Sequence, residues 1–408
     1  MRLWLAGALM LGAACGSEAP PGRVAPGTYL DDPRWAARRS ALGTRETPGG
    51  VRVQGAIAIL EGDSSLVSGS TASLGLRMDA EKNDLAAIVA RFSTRVADVP
   101  AILVLFTEFP DQGGGGPAYA VPIYNPAAGL GVPPIDQRGA FGTQAILSIA
   151  NLKRRSDHPE DALIPLIAHE IGHVSLAHLD LVPSSSTSTE TVLLGRQRAH
   201  WNAALDTEGS VLEGYGYAEI APGDFVVNAK RVRFSELDLY GLGLLPAAEV
   251  RPMFRIEDAQ VQSGAKLPAA AELTIGDHVF GRRTPVRIEE IVAVCGPRPP
   301  AASHELWAVF ALLTTPGVPA DDPEVQAEAA AIDRLRVAVE AAWPELTRGH
   351  GTLRTTLPEP RPDAGTHAEV PVAEASGCRC MSARASGFLG WIPLLLAARN
   401  FRRRPGFQ

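Results

Sequence analysis

Residues 163–182, which read "LIPLIAHEIGHVSLAHLDLV", are the most informative stretch of the sequence. Apolar residues occupy nearly all sides of this stretch, which predicts a buried helix. On a helix, residues four apart lie on the same side, so His169 and His173 face one point with Glu170 beside them. Because buried polar groups without partners are costly, we expect these three side chains to serve a common ligand.

A zinc ion suits this spacing. Histidines at i and i+4 can bind one zinc ion, and a catalytic zinc keeps three protein ligands and one position for water. The intervening glutamate then takes a proton from that water. The alternative is an ordinary core helix whose histidines are satisfied by neighbouring groups. We predict zinc as the cofactor, His169 and His173 as ligands, and Glu170 as the catalytic base.

The "HEIGH" motif resembles that of the zincin metallopeptidases. The resemblance is strong over residues 163–175 and weaker over the rest of the folded body. It implies a zincin-like layout, in which a small mixed sheet precedes the active-site helix and a mostly helical half follows. It also implies hydrolysis of peptide bonds, with a protein or peptide as the substrate.

The motif does not supply the third ligand. In metzincins the motif continues to a glycine and a third histidine, but Leu176 and Leu179 stand at those positions here. His178 is one residue off, and on a continued helix it lies about 180° from His169. We therefore expect His178 to be a surface residue or a support for the ligands.

A buried acid further along the chain is the first choice for the third metal ligand. Asp238, in "RFSELDLYGLGL", lies on the same helical face as Phe234, Gly241 and Leu245. The text around it loosely resembles the deuterolysin-type pattern of an aspartate followed by Tyr-Gly, with different spacing. The alternative is that Asp238 is a helix cap or an ion-pair partner.

His200, in "AHW", is the second candidate for the third ligand. Residues 210–215, "SVLEGY", resemble a metzincin Met-turn with leucine in place of methionine, and that likeness favours a histidine such as His200. Tyr215, Tyr217 and Tyr240 are candidates for hydrogen bonding to the oxyanion, although each also fits a packed core tyrosine.

The composition allows a large folded body and excludes some classes of protein. The 408 residues are 46% hydrophobic and 20% charged, which favours a packed core over global disorder. A net charge of −7 provides no basic surface for nucleic acid. Four cysteines, at 15, 295, 378 and 380, do not form the pattern of a disulfide scaffold. Nothing indicates an oligomer, and we expect a monomer.

The first 15 residues have the pattern of an export signal. Arg2 precedes an apolar stretch at residues 3–14, which is too short to span a bilayer as a helix. The small residues leading to Cys15 resemble a bacterial lipoprotein signal, although Leu11 lies four residues before the cysteine instead of three. Plain cleavage after a small residue is the alternative.

The end of the chain, residues 378–408, resembles the sorting tails of exported myxobacterial proteins. Cys378 and Cys380 precede an apolar run at 387–398 and then a cluster of arginines at 402–404. Arginines after an apolar segment fit a positive-inside stop signal. The alternative is a simple basic tail. We predict attachment to a membrane through the N-terminal lipid, this tail or both, and a location at the cell surface or outside the cell.

The order of predicted elements is that of an α+β protein. We expect strands at residues 51–60, 101–109 and 118–124, helices at 83–94 and 323–343, and the histidine helix between them. The predicted segments are a signal at 1–15, linkers at 16–48 and 358–377, a catalytic domain at 49–255, a subdomain packed on it at 256–357, and the tail at 378–408.

Three functions fit these features. The first is a surface-anchored or secreted zinc endopeptidase, which an exported chain with an intact "HEIGH" motif favours. The second is a non-catalytic binding or adhesion protein on a zincin-like scaffold, which the missing standard third ligand favours. The third is a metal-dependent hydrolase that acts on a cell-wall amide. Retention of Glu170 favours the enzymes, because a scaffold has no use for a general base.

Overall fold

Four parallel strands form the centre of the main sheet. The computed structural model describes residues 51–67, 84–94, 100–111, 116–182 and 191–358. Within that part of the chain the main sheet has the order β1-β2-β12-β3-β7-β4, and β13 pairs with β12. The strands are β1 (Val51–Gln54), β2 (Ile57–Leu60), β3 (Ala101–Thr107), β4 (Tyr119–Pro122), β7 (Ile146–Lys153), β12 (Glu305–Leu313) and β13 (Thr352–Arg354).

The main sheet is mixed. β2, β12, β3 and β7 run parallel to one another, while β1 and β4 pair antiparallel with their neighbours. Every residue of β3 is buried, as expected for an apolar run at the centre of a covered sheet. A mixed sheet combined with several helices confirms the α+β prediction.

The side chains of β3 alternate between the two faces of the main sheet, and each face is covered by different helices. Ile102, Val104 and Phe106 belong to the core that includes the histidine helix, α3 (Leu163–Gly172), and the long helix α6 (Pro323–Leu346). Leu103 and Leu105 point to the opposite face and join the core formed with α1 (Asp84–Ser93). The histidine helix and α6 therefore both pack on this face of the main sheet, where they contact each other.

The second half of the chain is not mostly helical, so that prediction is wrong. It contains an antiparallel sheet of order β10-β11-β9-β8. Its strands are β8 (Tyr215–Ala221), β9 (Asp224–Lys230), β10 (Met253–Val261) and β11 (His278–Val286). This sheet has a core of its own, which includes Tyr215, Phe225 and Phe254. A short ribbon of β5 (Tyr124–Asn125) and β6 (Ile135–Asp136) is separate from both sheets.

Shorter helices connect these layers. They are α2 (Arg138–Phe141), α4 (Glu236–Leu242) and α5 (Ile288–Cys295). The predicted helices at 83–94 and 323–343 correspond to α1 and α6. Helix α6 begins where the side chain of Asp322 accepts a hydrogen bond from the Glu324 amide, and Pro323 stands at its first position.

The predicted catalytic domain and the predicted C-terminal subdomain both contribute strands to each of the two larger sheets. The predicted boundary at 255/256 falls within β10, and β12, from the predicted C-terminal subdomain, lies between β2 and β3. The described residues all belong to one compact unit of the chain. The predicted signal, both linkers (residues 16–48 and nearly all of 358–377) and the C-terminal tail lie outside the described residues. Among the helices of the described ranges, none is long and apolar enough to cross a membrane.

Candidate metal centre

Helix α3 carries the "HEIGH" motif into the core. It ends at Gly172, and His173 follows with helical backbone angles, so both histidines keep the same-side arrangement predicted from the sequence. Gly172 permits close packing, because a Cβ there would lie 3.1 Å from the side chains of Leu212 and Phe234. The absence of a side chain thus lets residues near 211 approach the helix beside His169.

Three buried histidines converge at one point. His169, His173 and His200 each offer a ring nitrogen, and these atoms lie within 4.8 Å of one another, close enough to bind a metal ion. The Nε2 atom of His169 lies 3.1 Å from that of His173 and 3.3 Å from that of His200. The residues are only 5%, 6% and 0% exposed, respectively. The histidine that was second choice in the sequence therefore lies beside the "HEIGH" pair.

A backbone carbonyl fixes the tautomer of each ring. Because a carbonyl oxygen only accepts, the Nδ1 atom facing it must carry the proton, and the Nε2 atom of a neutral ring then carries a lone pair. The Nδ1 bonds run from His169 to Val211 O (2.7 Å), from His173 to Leu176 O (3.0 Å) and from His200 to Arg196 O (2.9 Å). Each ring consequently carries its lone pair on Nε2, the atom through which the rings approach one another.

Burial keeps the three rings neutral. It lowers the pKa of His173 to about 4, and it lowers the pKa values of His169 and His200 well below the usual range. For His169, the proximity of the other two histidines lowers the pKa further. Neutral imidazoles are the form that binds metal, and a set of three suits zinc, copper, iron or nickel better than magnesium or calcium.

Glu170 lies on the same helix, next to His169, and is fully buried. The fold therefore brings together the two histidines of the motif, and Glu170 lies between them in the chain on the last turn of α3.

Asp238 lies in a helix cap and not in the histidine cluster. It is the third residue of α4, where it forms a capping box with Ser235. Its carboxylate accepts hydrogen bonds from Trp201 Nε1 at 2.8 Å, Ser210 Oγ at 2.6 Å and the Ser235 amide at 2.7 Å. Since Trp201 follows His200, this fully buried carboxylate helps to place the segment that carries the third histidine.

The remaining sequence candidates also lie outside the cluster. Because α3 ends at Gly172, His178 is not on a continued helix, and its ring is absent from the converging set. The hydroxyl groups of the three candidate tyrosines meet backbone groups instead. Tyr215 and Tyr217 donate to the carbonyls of Ala271 and Ala203, and Tyr240 accepts from the Arg298 amide.

An ion pair that sequence reasoning did not single out borders the cluster. Arg196 Nε lies 3.0 Å from Glu213 Oε2, and a second Arg196 nitrogen contacts the other carboxylate oxygen. Arg196 Nη2 also lies 3.2 Å from His200 Nε2. The local sequence around either residue carries no motif, so only the fold reveals this arrangement.

The fold and the geometry together define a site of three histidines, able to bind a metal ion, on an α+β scaffold. No protein-family model, curated protein or solved structure matches this chain. The function is therefore inferred from the geometry of the site.

Proposed function

We propose that this protein is a zinc-dependent endopeptidase of the zincin type, with His169, His173 and His200 as the zinc ligands. The convergence of their three Nε2 atoms carries the proposal. Nitrogens bound to a tetrahedral zinc ion at 2.0–2.1 Å lie about 3.3 Å apart. The separations of 3.1 and 3.3 Å between the Nε2 atoms already approach that value.

The chemistry follows from the residues around this point. A zinc ion held by these three histidines would supply a Lewis acid that polarises the peptide carbonyl and lowers the pKa of a bound water. Glu170 acts as the general base, because its carboxylate is fixed on α3 beside a ligand and is shielded from solvent. The three backbone carbonyls hold the imidazoles in the ligating tautomer, so little reorganisation is needed on binding.

The substrate is proposed to be a peptide in extended conformation. β4 (Tyr119–Pro122) is the last strand in the order of the main sheet. Shortly after it, Asn125 donates to the carbonyl of Val174 at 2.6 Å, so this edge of the sheet adjoins the end of the "HEIGH" segment. A peptide added along β4 would lie near the metal centre. Export and attachment at the cell envelope remain part of this proposal.

Removal of the metal tests the proposal directly. We expect purified full-length protein to hold one zinc ion and to hydrolyse casein. Treatment with 1,10-phenanthroline should abolish hydrolysis, and added zinc should restore it, because the histidines alone cannot activate water. The non-chelating isomer 1,7-phenanthroline is the control. Hydrolysis that continues after complete removal of zinc would contradict the proposal.

The pH dependence of zinc binding provides a second test. Burial lowers the pKa of His173 to about 4 and holds the pKa values of the other two rings well below the usual range. Protons therefore compete with zinc only at low pH. We expect the zinc dissociation constant to stay nearly constant from pH 7.5 to 5.5 and to rise steeply only below about pH 4.5. A steep rise through pH 6.5, the behaviour of solvated histidines, would contradict this assignment.

The burial of the site favours one other candidate function. All three histidines are at most 6% exposed and Glu170 is fully buried, as in a closed structural metal site. The second candidate is therefore a non-catalytic binding protein in which the metal only stabilises the fold. Stoichiometric zinc combined with no hydrolysis of casein, and with a large fall in thermal stability on zinc removal, would favour this candidate.

A further inference from the structure

The guanidinium group of Arg196 lies beside one of the three converging histidines. Its Nη2 atom is 3.2 Å from His200 Nε2, one of the three nitrogens that face the metal position. A metal ion bound by the histidines takes the Nε2 lone pair that Nη2 now faces. The same N–H donor is then adjacent to any oxygen bound beside the metal.

Glu213 holds this guanidinium in place. The carboxylate binds Arg196 through both of its oxygens, and each of the two side chains is only 18% exposed. Burial alone would raise the pKa of Glu213, but the hydrogen bond and charge of Arg196 lower it overall, so the carboxylate is ionised. A planar, bidentate pair of this kind has little freedom to rotate.

The loop that carries Glu213 is itself anchored to the site. Val211, two residues earlier, accepts the hydrogen bond from His169 Nδ1. Gly214, the next residue, packs so tightly that a Cβ would lie 2.0 Å from Thr207 Oγ1. The ion pair thus joins the segment that fixes His169 to the segment that carries His200. The pairing also offsets the arginine charge, which makes its place beside a metal cation tolerable.

We propose that Arg196 is a catalytic residue that donates a hydrogen bond to the substrate carbonyl oxygen as negative charge develops on it. This inference rests on the proposed hydrolytic function. The donor is held by Glu213 and lies beside His200 Nε2, an atom proposed to bind the metal. A fixed donor next to the reacting group is the arrangement that stabilises an oxyanion. The three tyrosines considered for this role direct their hydroxyl groups to the backbone instead.

A purely structural role for Arg196 is the competing explanation, because its backbone carbonyl also holds His200. That carbonyl survives any side-chain substitution, so the two roles can be separated. R196Q removes the charged donor, R196K restores a charge with different geometry, and R231Q serves as the matched control. Arg231 lies 3.5 Å from the same carboxylate of Glu213, and its loss removes an equal charge.

The experiment measures binding of acetohydroxamate to the full-length protein loaded with cobalt(II), followed by the visible spectrum of the metal. Acetohydroxamate presents an anionic oxygen to the metal and needs no substrate pocket. We expect R196Q to keep stoichiometric cobalt and to bind acetohydroxamate about 10–100-fold more weakly, because a hydrogen bond to a charged group is lost. R196K should recover part of this loss, and R231Q should stay within twofold of the parent.

Casein hydrolysis is the second readout. We expect kcat/KM of zinc-loaded R196Q to fall by about 10²–10³-fold, the usual effect of removing one oxyanion donor. Acetohydroxamate affinity within threefold of the parent in R196Q, or loss of the metal from R196Q, would overturn the assignment. A parent protein that binds cobalt and acetohydroxamate but cleaves no peptide would refute the peptidase proposal. In that case, the ratio of the acetohydroxamate affinities of R196Q and the parent would still decide whether Arg196 contacts the metal-bound ligand.

Discussion

Glu170→Gln is expected to lower casein hydrolysis by about 10²–10⁴-fold while leaving zinc in place, since glutamine keeps the shape of the side chain but cannot accept a proton. Glu170 is fully buried on α3 beside His169. The measurement is kcat/KM on casein together with the zinc content of the same preparation. Both must be measured on the full-length protein.

Glu160→Gln is the matched control for this substitution. Glu160 lies just before the same helix, and its side chain is 83% exposed, so its loss should change kcat/KM by less than twofold. Full activity in zinc-loaded Glu170→Gln would show that another group takes the proton. If the parent and the variant are equally inactive and both hold zinc, the non-catalytic binding protein becomes the better explanation.

His200→Ala is expected to weaken zinc binding by more than 100-fold, because removing a direct ligand should exceed the roughly 10–100-fold effect of removing a group that supports one. His200 contributes one of the three converging Nε2 atoms and is completely buried. Competition with a chromophoric chelator at pH 7.5 measures the affinity. Hydrolysis at limiting zinc should fall in parallel.

Asp238→Asn distinguishes the two candidates for the third ligand. Asparagine would turn an NH₂ group toward donors that now bind the carboxylate, including the Ser235 amide and the Ser210 hydroxyl. We expect the free energy of unfolding in urea to fall by about 2–4 kcal/mol, with zinc binding retained in the folded protein. The reverse result, zinc lost from folded Asp238→Asn and kept by His200→Ala, would contradict the assignment of His200.

The part of the site that the sequence predicts is the part that lies on one helix. His169, Glu170 and His173 follow from four-residue spacing on an apolar helix, and the structure places that helix where the sequence indicated. The third histidine follows a short 3₁₀ turn at Arg196–Arg198, where no period relates it to α3. The role of His200 becomes visible only in the structure, where residues 200 and 211 lie close to α3. In the sequence, the resemblance of residues 210–215 to a Met-turn favours a histidine ligand such as His200.

Asp238 illustrates how a correct observation about burial led to an unsupported role. The residue is buried among apolar neighbours, as the helical stripe predicted, and a buried acid does need partners. The partners are Trp201, Ser210 and Ser235. The signal for this role was present in the sequence, because a serine three residues before an acid at the start of a helix is a capping-box pattern.

The first strand of the second sheet is hard to predict because it lacks a clean alternation, whereas residues 254–294, which cover most of β10 and all of β11, have a strand-like pattern. β8 is buried only over its first three residues and is then exposed, so its apolar pattern is too short to stand out. β12 is different, since most of it is a continuous apolar run that the sequence could have identified as a strand. Its position between β2 and β3 depends on pairing with residues far away in the chain.

The central claim is that His169, His173 and His200 together bind zinc, and X-ray absorption at the zinc edge of the loaded protein tests it most directly. We expect one zinc ion per chain with three imidazole nitrogens at about 2.0–2.1 Å and one lighter-atom ligand from solvent. His200→Ala should reduce the imidazole count to two. A parent spectrum that fits two imidazoles with a protein carboxylate, or a protein that binds no zinc, would contradict the account.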